Sequence, residues 1–317
     1  MVGYDSHDNN QVNTVHFAIA GATSGFITRV ATQPLDVLKI RFQLQIEPLS
    51  SNCKSSKYTG INQAWKCIIK EEGITALWKG LISAQFLSVV YGIVQFSSFE
   101  YFTKVFWLKL NDKKYEHAIN WFSGSLAGAT ATFSAHPFDV IRTRLVAQSE
   151  PKTYLSNTHA FVNIVRKERL KGLYRGLFPA LVQIVPYTGA AFCVNGICNN
   201  VWESFGSFGS KKDPTAIQSL ICGGIAGVTA KVIVYPLDLV KKRMQVQGFN
   251  NARQSFGKTV NYSGLFDCLI KVVKMESFLG LYKGLYPSLI KAGASSALNF
   301  AVYEQIMKIM KLKYKHK

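Results

Sequence analysis

Nine charged side chains recur in three sets of identical spacing. Asp36, Lys39 and Arg41 form the first, Asp139, Arg142 and Arg144 the second, and Asp238, Lys241 and Arg243 the third. A proline stands two residues before each acid, at Pro34, Pro137 and Pro236. Three acids, each with a base three residues later, can form and break ion pairs. They lack the groups needed to make or cleave a covalent bond. The six histidines are scattered, with no HExxH or similar pair, and no two of the six cysteines have CxxC spacing. No P-loop and no nucleophile–base constellation is present. The sequence therefore predicts no metal site, no cofactor and no enzyme, and the cysteines read as small buried residues.

The elements that carry these charges are apolar. Apolar residues make up 48% of the 317-residue chain and charged residues only 17%. Gly80 to Phe99 runs 20 residues without a charge and Leu177 to Trp202 runs 26. A bilayer-spanning helix needs about 20 such residues. A third run, 118–138, is interrupted only by His136. Burial in a large soluble core is the weaker reading, because basic, polar segments join these runs. A mean hydropathy of only +0.09 requires polar loops or a polar interior. The net charge of +19 suits a protein set among anionic lipids. A nucleic-acid binder is the alternative from another class, but the bases are dispersed and form no stripe or zinc module. No Lys or Arg precedes Arg29, so an Arg-rich transit peptide is not expected and an organelle address would be internal.

The motif is part of a threefold repeat. "PLDVLKIR", "PFDVIRTR" and "PLDLVKKR" begin 103 and 99 residues apart. Glycines stand thirteen and nine residues before each proline, at Gly21 and Gly25, Gly124 and Gly128, and Gly223 and Gly227. Small-xxx-small spacing lets helix backbones approach in lipid. A second element follows each proline: "EGITALWKG", "ERLKGLYRG" and "ESFLGLYKG". The fold class expected is an all-α membrane protein of three tandem two-helix repeats. These would form a pseudo-threefold bundle of six transmembrane helices with short extra helices near 45–70, 148–167 and 247–275. The divisions are a polar tail 1–14 and repeats 15–112, 113–208 and 209–317. Six spans put both termini on one side.

Charges facing lipid cost about 2.5–3.5 kcal/mol each, so the nine motif charges should face a shared centre. Pairing within each helix is the bland reading; pairing between repeats would close one end. The prolines can bend the odd-numbered spans inward. Seven residues along a helix return to the same face about 10 Å away. Arg29 thus shares a face with Asp36, and its equivalents are Thr132 and Lys231. Lys291 is the one charge between Gly284 and Glu304; its equivalents are Leu87 and Gln183. One turn on are Tyr91, Tyr187 and Ser295. Arg29, Lys231 and Lys291, with no carboxylate expected beside them, call for an anion. The tyrosines suit a ring system, although tyrosines at helical spacing often only pack.

The P-x-[DE]-x-x-[KR]-x-[KR] motif and its acidic-Gly-x4-aromatic-basic-Gly partner, each three times, resemble the mitochondrial carrier family over nearly the whole chain. "MVGYD", "IRFQLQ", "KKRMQVQGFNNARQSFG" and "YSGLFDC" are most similar to its thiamine pyrophosphate branch. The resemblance implies a monomeric inner-membrane antiporter importing thiamine pyrophosphate by alternating access, with nucleotide as counter-substrate. Pocket chemistry alone leaves adenine nucleotides, deoxynucleotides and coenzyme A open. It further implies a matrix gate of cyclic pairs among Asp36, Lys39, Asp139, Arg142, Asp238 and Lys241, with Gln43 and Gln245 as braces. Val146 stands at the third brace position. Substrate contacts would fall at Leu87, Ser88, Gln183, Ile184 and Lys291. Cardiolipin phosphate would bind at Lys79 and Gly80, Arg175 and Gly176, Lys283 and Gly284, with Gly60 and Gly264 at the partner helix ends; a plain helix cap is the modest alternative. The glycine of the second element is replaced by Arg169 and Ser277. In "FEYFT" and "YEQIM" the acid lacks a base at the expected place, with Lys104 and Lys308 one residue late, so a weak outer gate is expected.

Overall fold

The computed structural model describes residues 14–49, 56–110, 116–148, 150–205, 216–249 and 260–315. Residues 1–13 of the polar tail and parts of several connections lie outside them. All regular structure among the described residues is helical. The helices are α1 Thr14–Leu44, α2 Ile61–Glu72, α3 Leu81–Leu110, α4 Glu116–Ala147, α5 Asn157–Leu173, α6 Leu177–Val182, α7 Ile184–Phe205, α8 Ala216–Gln245, α9 Leu265–Glu276 and α10 Leu285–Lys315. Among the described residues, three segments are long and apolar enough to cross a membrane: Ile74–Leu108, Leu177–Trp202 and Ile221–Gln245. Two match the charge-free runs; the third lies in the last repeat instead of at 118–138. Besides its contacts within a repeat, α3 packs on α4, α7 on α8, and α10 returns to α1, which closes the bundle.

The three motif prolines sit inside α1, α4 and α8 without ending them. Proline has no N–H for the carbonyl four residues earlier. For Pro34 that carbonyl belongs to Val30, and the Trp78 indole N–H donates to it at 3.0 Å. The second element thus repairs the backbone defect of the first. In the middle repeat a further proline has a larger effect. Pro186 cannot donate to Val182, and the helical hydrogen bonding is interrupted at Gln183, between α6 and α7, although Gln183 itself keeps helical φ and ψ of −66° and −26°.

Short helices α2, α5 and α9 press one apolar face against the ends of α1, α4 and α8. Ala64 and Ile68 pack with Val37 and Leu38, Ala160 and Ile164 with Ile141, and Cys268 and Val272 with Leu239 and Val240. Each of the three segments carries a residue with positive φ: Gly73 at 81° and Ser277 at 72° directly after α2 and α9, and Arg169 at 56° at a kink within α5. The turn geometry is therefore kept where the glycine is not. Arg169 and Ser277 hold it against the steric cost of a Cβ.

The glycine spacing behaves differently from the expectation of uniform close packing. A Cβ on Gly124 would lie 3.9 Å from Phe99, and one on Gly128 would lie 3.7 Å from Ile184. On Gly21, Gly25, Gly223 and Gly227 it would meet nothing within 4 Å. Those four glycines border open space.

Candidate functional site

Six of the nine motif charges meet at one end of the bundle and pair between repeats, not along their own helices. The expectation that all nine share that centre is corrected, because Arg41, Arg144 and Arg243 turn to acids of their own repeats. Arg142 on α4 bonds Asp36 on α1. Lys241 on α8 lies 2.8 Å from Asp139 on α4. Lys39 on α1 lies 2.6 Å from Asp238 on α8 and completes the cycle. Gln43 donates to Asp238 at 3.2 Å and Gln245 to Asp139 at 2.8 Å. At the third position the buried Val146 offers no donor. Asp36 instead receives a second cation: Lys291 Nζ lies 2.7 Å from its Oδ1. Lys291 was expected to have no carboxylate beside it, and the structure corrects that. The register along α10 gives its face but not the acid waiting on α1.

Arg29 and Lys231 keep the expected character. Arg29 donates to the Ala84 carbonyl at 2.6 Å and Lys231 to the Ser288 carbonyl at 3.0 Å. Among the described residues neither has an ion pair. Leu87, Tyr91 and Thr132 line a small cavity of about 170 Å3 whose floor is Asp139, Arg142 and Lys241. Ile184 packs over Gly128, Gln183 lies at the helix break, and Ser88 is half-buried beside Leu87. Tyr187 lines a second cavity between α7 and α8.

The opposite end carries no comparable ring among the described residues. Glu100 pairs with Lys104 at 2.9 Å and Glu304 with Lys308 at 3.0 Å, each within its own helix and largely exposed. The displaced bases thus serve local pairs. One end closed by an inter-repeat ring, an opposite end without such a ring among the described residues (the unpaired end) and Arg29, Lys231 and Lys291 between them bound a one-sided vestibule.

The chain matches the family described as mitochondrial carrier protein in three consecutive segments, 10–110, 113–205 and 212–314. The chain belongs to the mitochondrial carrier family. A human protein named mitochondrial thiamine pyrophosphate carrier is 45% identical over 305 residues, covering 96% of this chain and 95% of its own length. A maize protein named mitochondrial thiamine diphosphate carrier 1 is 39% identical, covering 91% of this chain and 92% of its own. A protein named mitochondrial thiamine pyrophosphate carrier 1 from Coccidioides immitis is 39% identical with 92% of each chain covered.

A second threefold set in this carrier was not singled out from the sequence. The last motif base clamps the acid of the second element in every repeat. Arg41 bonds Glu72 at 2.6 and 2.7 Å, Arg144 bonds Glu168 at 2.5 and 2.9 Å, and Arg243 bonds both oxygens of Glu276. Such forked contacts are the strong kind. Arg144 also donates to Gln245 and Gln247 carbonyls, and Arg243 to those of Gln43 and Gln45, which ties the second repeat to the third and the third to the first. The signal was available: both partners recur three times in the sequence. Burial alone would raise the Glu72 carboxyl, but hydrogen bonds and charge from Arg41 and Lys79 hold it below its ordinary value.

The same geometry gives the residues of the expected lipid site partners within the protein. Lys79 lies 2.6 Å from Glu72 and Arg175 lies 3.2 Å from Glu168. Lys283 donates to Glu276 and to the carbonyls of Gln45, Ile46 and Glu47, which fully occupies its ammonium. The following glycines have φ of 76°, 78° and 82°. They sit against the next repeat: a Cβ on Gly80, Gly176 or Gly284 would lie 3.2, 2.9 or 2.9 Å from the carbonyl oxygen of Arg142, Lys241 or Lys39. Each glycine thus seats one repeat on a ring base of its neighbour. Gly60 and Gly284 share an open pocket of about 450 Å3.

Lys242 was also missed. It is buried and donates to Asp139 at 2.7 Å, Thr143 at 3.0 Å and Gln245 at 3.1 Å. Its equivalents are the buried Ile40 and Thr143, so it is a cation peculiar to the last repeat.

Proposed function

We propose that this carrier moves thiamine pyrophosphate across the mitochondrial inner membrane into the matrix, in exchange for a nucleotide, by alternating access. The observation that carries the reading is the trio Arg29, Lys231 and Lys291 above a closed ionic ring, in a chain whose relatives carry that name. The paired end faces the matrix, and substrate enters from the unpaired end. Its pyrophosphate meets Arg29 and Lys231, whose only hydrogen-bond partners among the described residues are backbone carbonyls.

Lys291 links cargo to gate. A pyrophosphate within its reach competes with Asp36 for the ammonium. Drawing Lys291 away leaves Asp36 to Arg142 alone. Breaking a buried ion pair costs about 3–5 kcal/mol when one partner is simply removed. The incoming anion supplies compensating charge, so the ring can open only when substrate offsets that cost. The thiazolium has no free carboxylate to meet in this vestibule; the faces of Tyr91 and Tyr187 are the cation-attracting surfaces available to it.

Lipid phosphate is assigned to the pocket between Gly60 and Gly284, with the α2 and α10 N-termini as the donors. Gly264 and Gly176 form the equivalent ends between the later repeats. The family's cardiolipin is the phosphate source in this reading, and the working unit is a monomer.

The test is uptake of labelled thiamine pyrophosphate by purified protein in liposomes, with unlabelled competitors. Excess thiamine pyrophosphate should stop uptake. Arrest by ATP or coenzyme A but not by thiamine pyrophosphate would sink the substrate assignment.

A further inference from the structure

The cavity between α7 and α8 lies outward of the cationic trio. On α8 it is walled by Gly227 and Gly223, four and eight residues before Lys231. On α7 it is walled by Tyr187 and Ala191, four and eight residues after Gln183. Each four-residue step drifts about 40° around a helix, so the cavity starts beside the two faces that hold the substrate level and winds from them into the α7–α8 interface toward the unpaired end. Its volume is about 590 Å3. Its lining contains no Asp, Glu, Lys, Arg or His. The polar groups deepest along it are Asn195, Asn199 and Ser219. Both asparagines are half-buried, and among the described residues the one side-chain hydrogen bond to either is from Gln218 to Asn199 at 3.4 Å, which leaves most of their amide capacity open to those residues.

We propose that this cavity receives the uncharged heteroaromatic end of the cargo, an aminopyrimidine edge. The inference rests on the transport reading above and gives it an orientation: pyrophosphate toward the ring, aminopyrimidine toward the unpaired end. An aminopyrimidine presents a donor beside an acceptor, and a carboxamide presents the same pair in reverse. This is the pairing by which Asn and Gln read the adenine edge. An uncharged pocket avoids desolvating an unpaired ion around a neutral ring. Tyr187, 41% exposed, supplies a flat face at the entrance nearest the cations. From Tyr187 to Asn195 is eight residues, about 12 Å of helix, enough to separate the two ends of one extended ligand. Adenine presents the same edge, so the pocket accommodates both the cargo and an adenine-nucleotide counter-substrate.

The experiment is equilibrium binding of thiamine pyrophosphate, ADP and inorganic pyrophosphate to the purified full-length carrier. The variants are Asn195→Leu and Gly223→Leu. The second fills the cavity from the opposite wall, where a Cβ meets nothing within 4 Å, and it replaces a poor helix former with a good one. Each variant should weaken thiamine pyrophosphate and ADP about tenfold, the loss of one or two buried hydrogen bonds. Binding of inorganic pyrophosphate should change less than about twofold, because it uses only the cationic end. Weakening of thiamine pyrophosphate alone would assign the pocket to the cargo and remove the counter-substrate from it. Unchanged binding of all three ligands, or equal weakening of all three, overturns the proposal. A wild type that binds inorganic pyrophosphate but not thiamine pyrophosphate overturns the transport reading itself.

Discussion

Lys291 Nζ stands 2.7 Å from Asp36 Oδ1, joining α10 to α1 through the acid that also holds Arg142. The substrate level and the closed ring therefore share a side chain. Asp36→Asn should act in two opposite directions. It frees Lys291 for an anion, so inorganic pyrophosphate should bind several-fold tighter. It also strips the first inter-repeat pair, and the protein should lose roughly 3–5 kcal/mol of stability. Lys291→Ala should weaken the same anion. Binding titration and thermal unfolding read both effects. Weaker pyrophosphate binding by Asp36→Asn would separate Lys291 from the site.

Gly176 has φ 78° and faces the Lys241 carbonyl oxygen at a would-be Cβ distance of 2.9 Å. Gly176→Ala should cost about 2 kcal/mol or more from strain and displaced backbone. Thermal unfolding in detergent is the check. A melting temperature equal to the wild type would mean that the repeats seat on one another elsewhere.

Arg169 and Ser277 hold the positive φ that Gly73 holds in the first repeat. Arg169→Gly and Ser277→Gly should each raise stability by about 0.5–1 kcal/mol, as relieved strain outweighs added chain entropy. Gly73→Ala should lower it. A fall in melting temperature for both glycine variants would refute the strain argument.

Glu72 pairs with Arg41 and Lys79, and its carboxyl sits below the ordinary value. The sign follows from linkage. The ionised form is favoured in the fold, so its stabilisation is fully present above the unfolded-state pKa, about 4.3 for Glu, and is lost as pH falls through the depressed folded value. Glu72→Gln should be less stable than wild type at neutral pH by roughly 3 kcal/mol. The two should converge in acid. A difference that stays constant with pH would contradict the pairing.

Much of this was legible in the sequence because threefold repetition makes equivalent residues visible. Asp36, Asp139 and Asp238 with their bases could be placed at a shared centre because charges facing lipid are costly, and their cyclic pairing was implied by the family resemblance. That Arg41, Arg144 and Arg243 turn to Glu72, Glu168 and Glu276 was not legible. What pairs across the closure of the bundle was not legible. The face of Lys291 follows from helical period along α10, but Asp36 is 255 positions away on a helix whose height is set by packing. Lys242 escaped for another reason. It follows a ring base by one position, about 100° around the helix, where an interface residue is the usual occupant. The contrast with Ile40 and Thr143 was its only mark. The glycines after Lys79, Arg175 and Lys283 are expected at phosphate sites, and the sequence did not show that all three also seat neighbouring repeats. Their positive φ is written in the sequence as glycine, but the carbonyl each one meets is a tertiary fact.

The most direct test of the account is exchange of labelled thiamine pyrophosphate in liposomes by wild type and by Lys291→Gln, which keeps length and polarity but removes the charge. The account predicts saturable uptake by the wild type and a loss of about a hundredfold or more in the variant, as an anion contact and the link to Asp36 disappear together. Wild-type uptake no greater than protein-free liposomes, or near-normal uptake by Lys291→Gln, would contradict it.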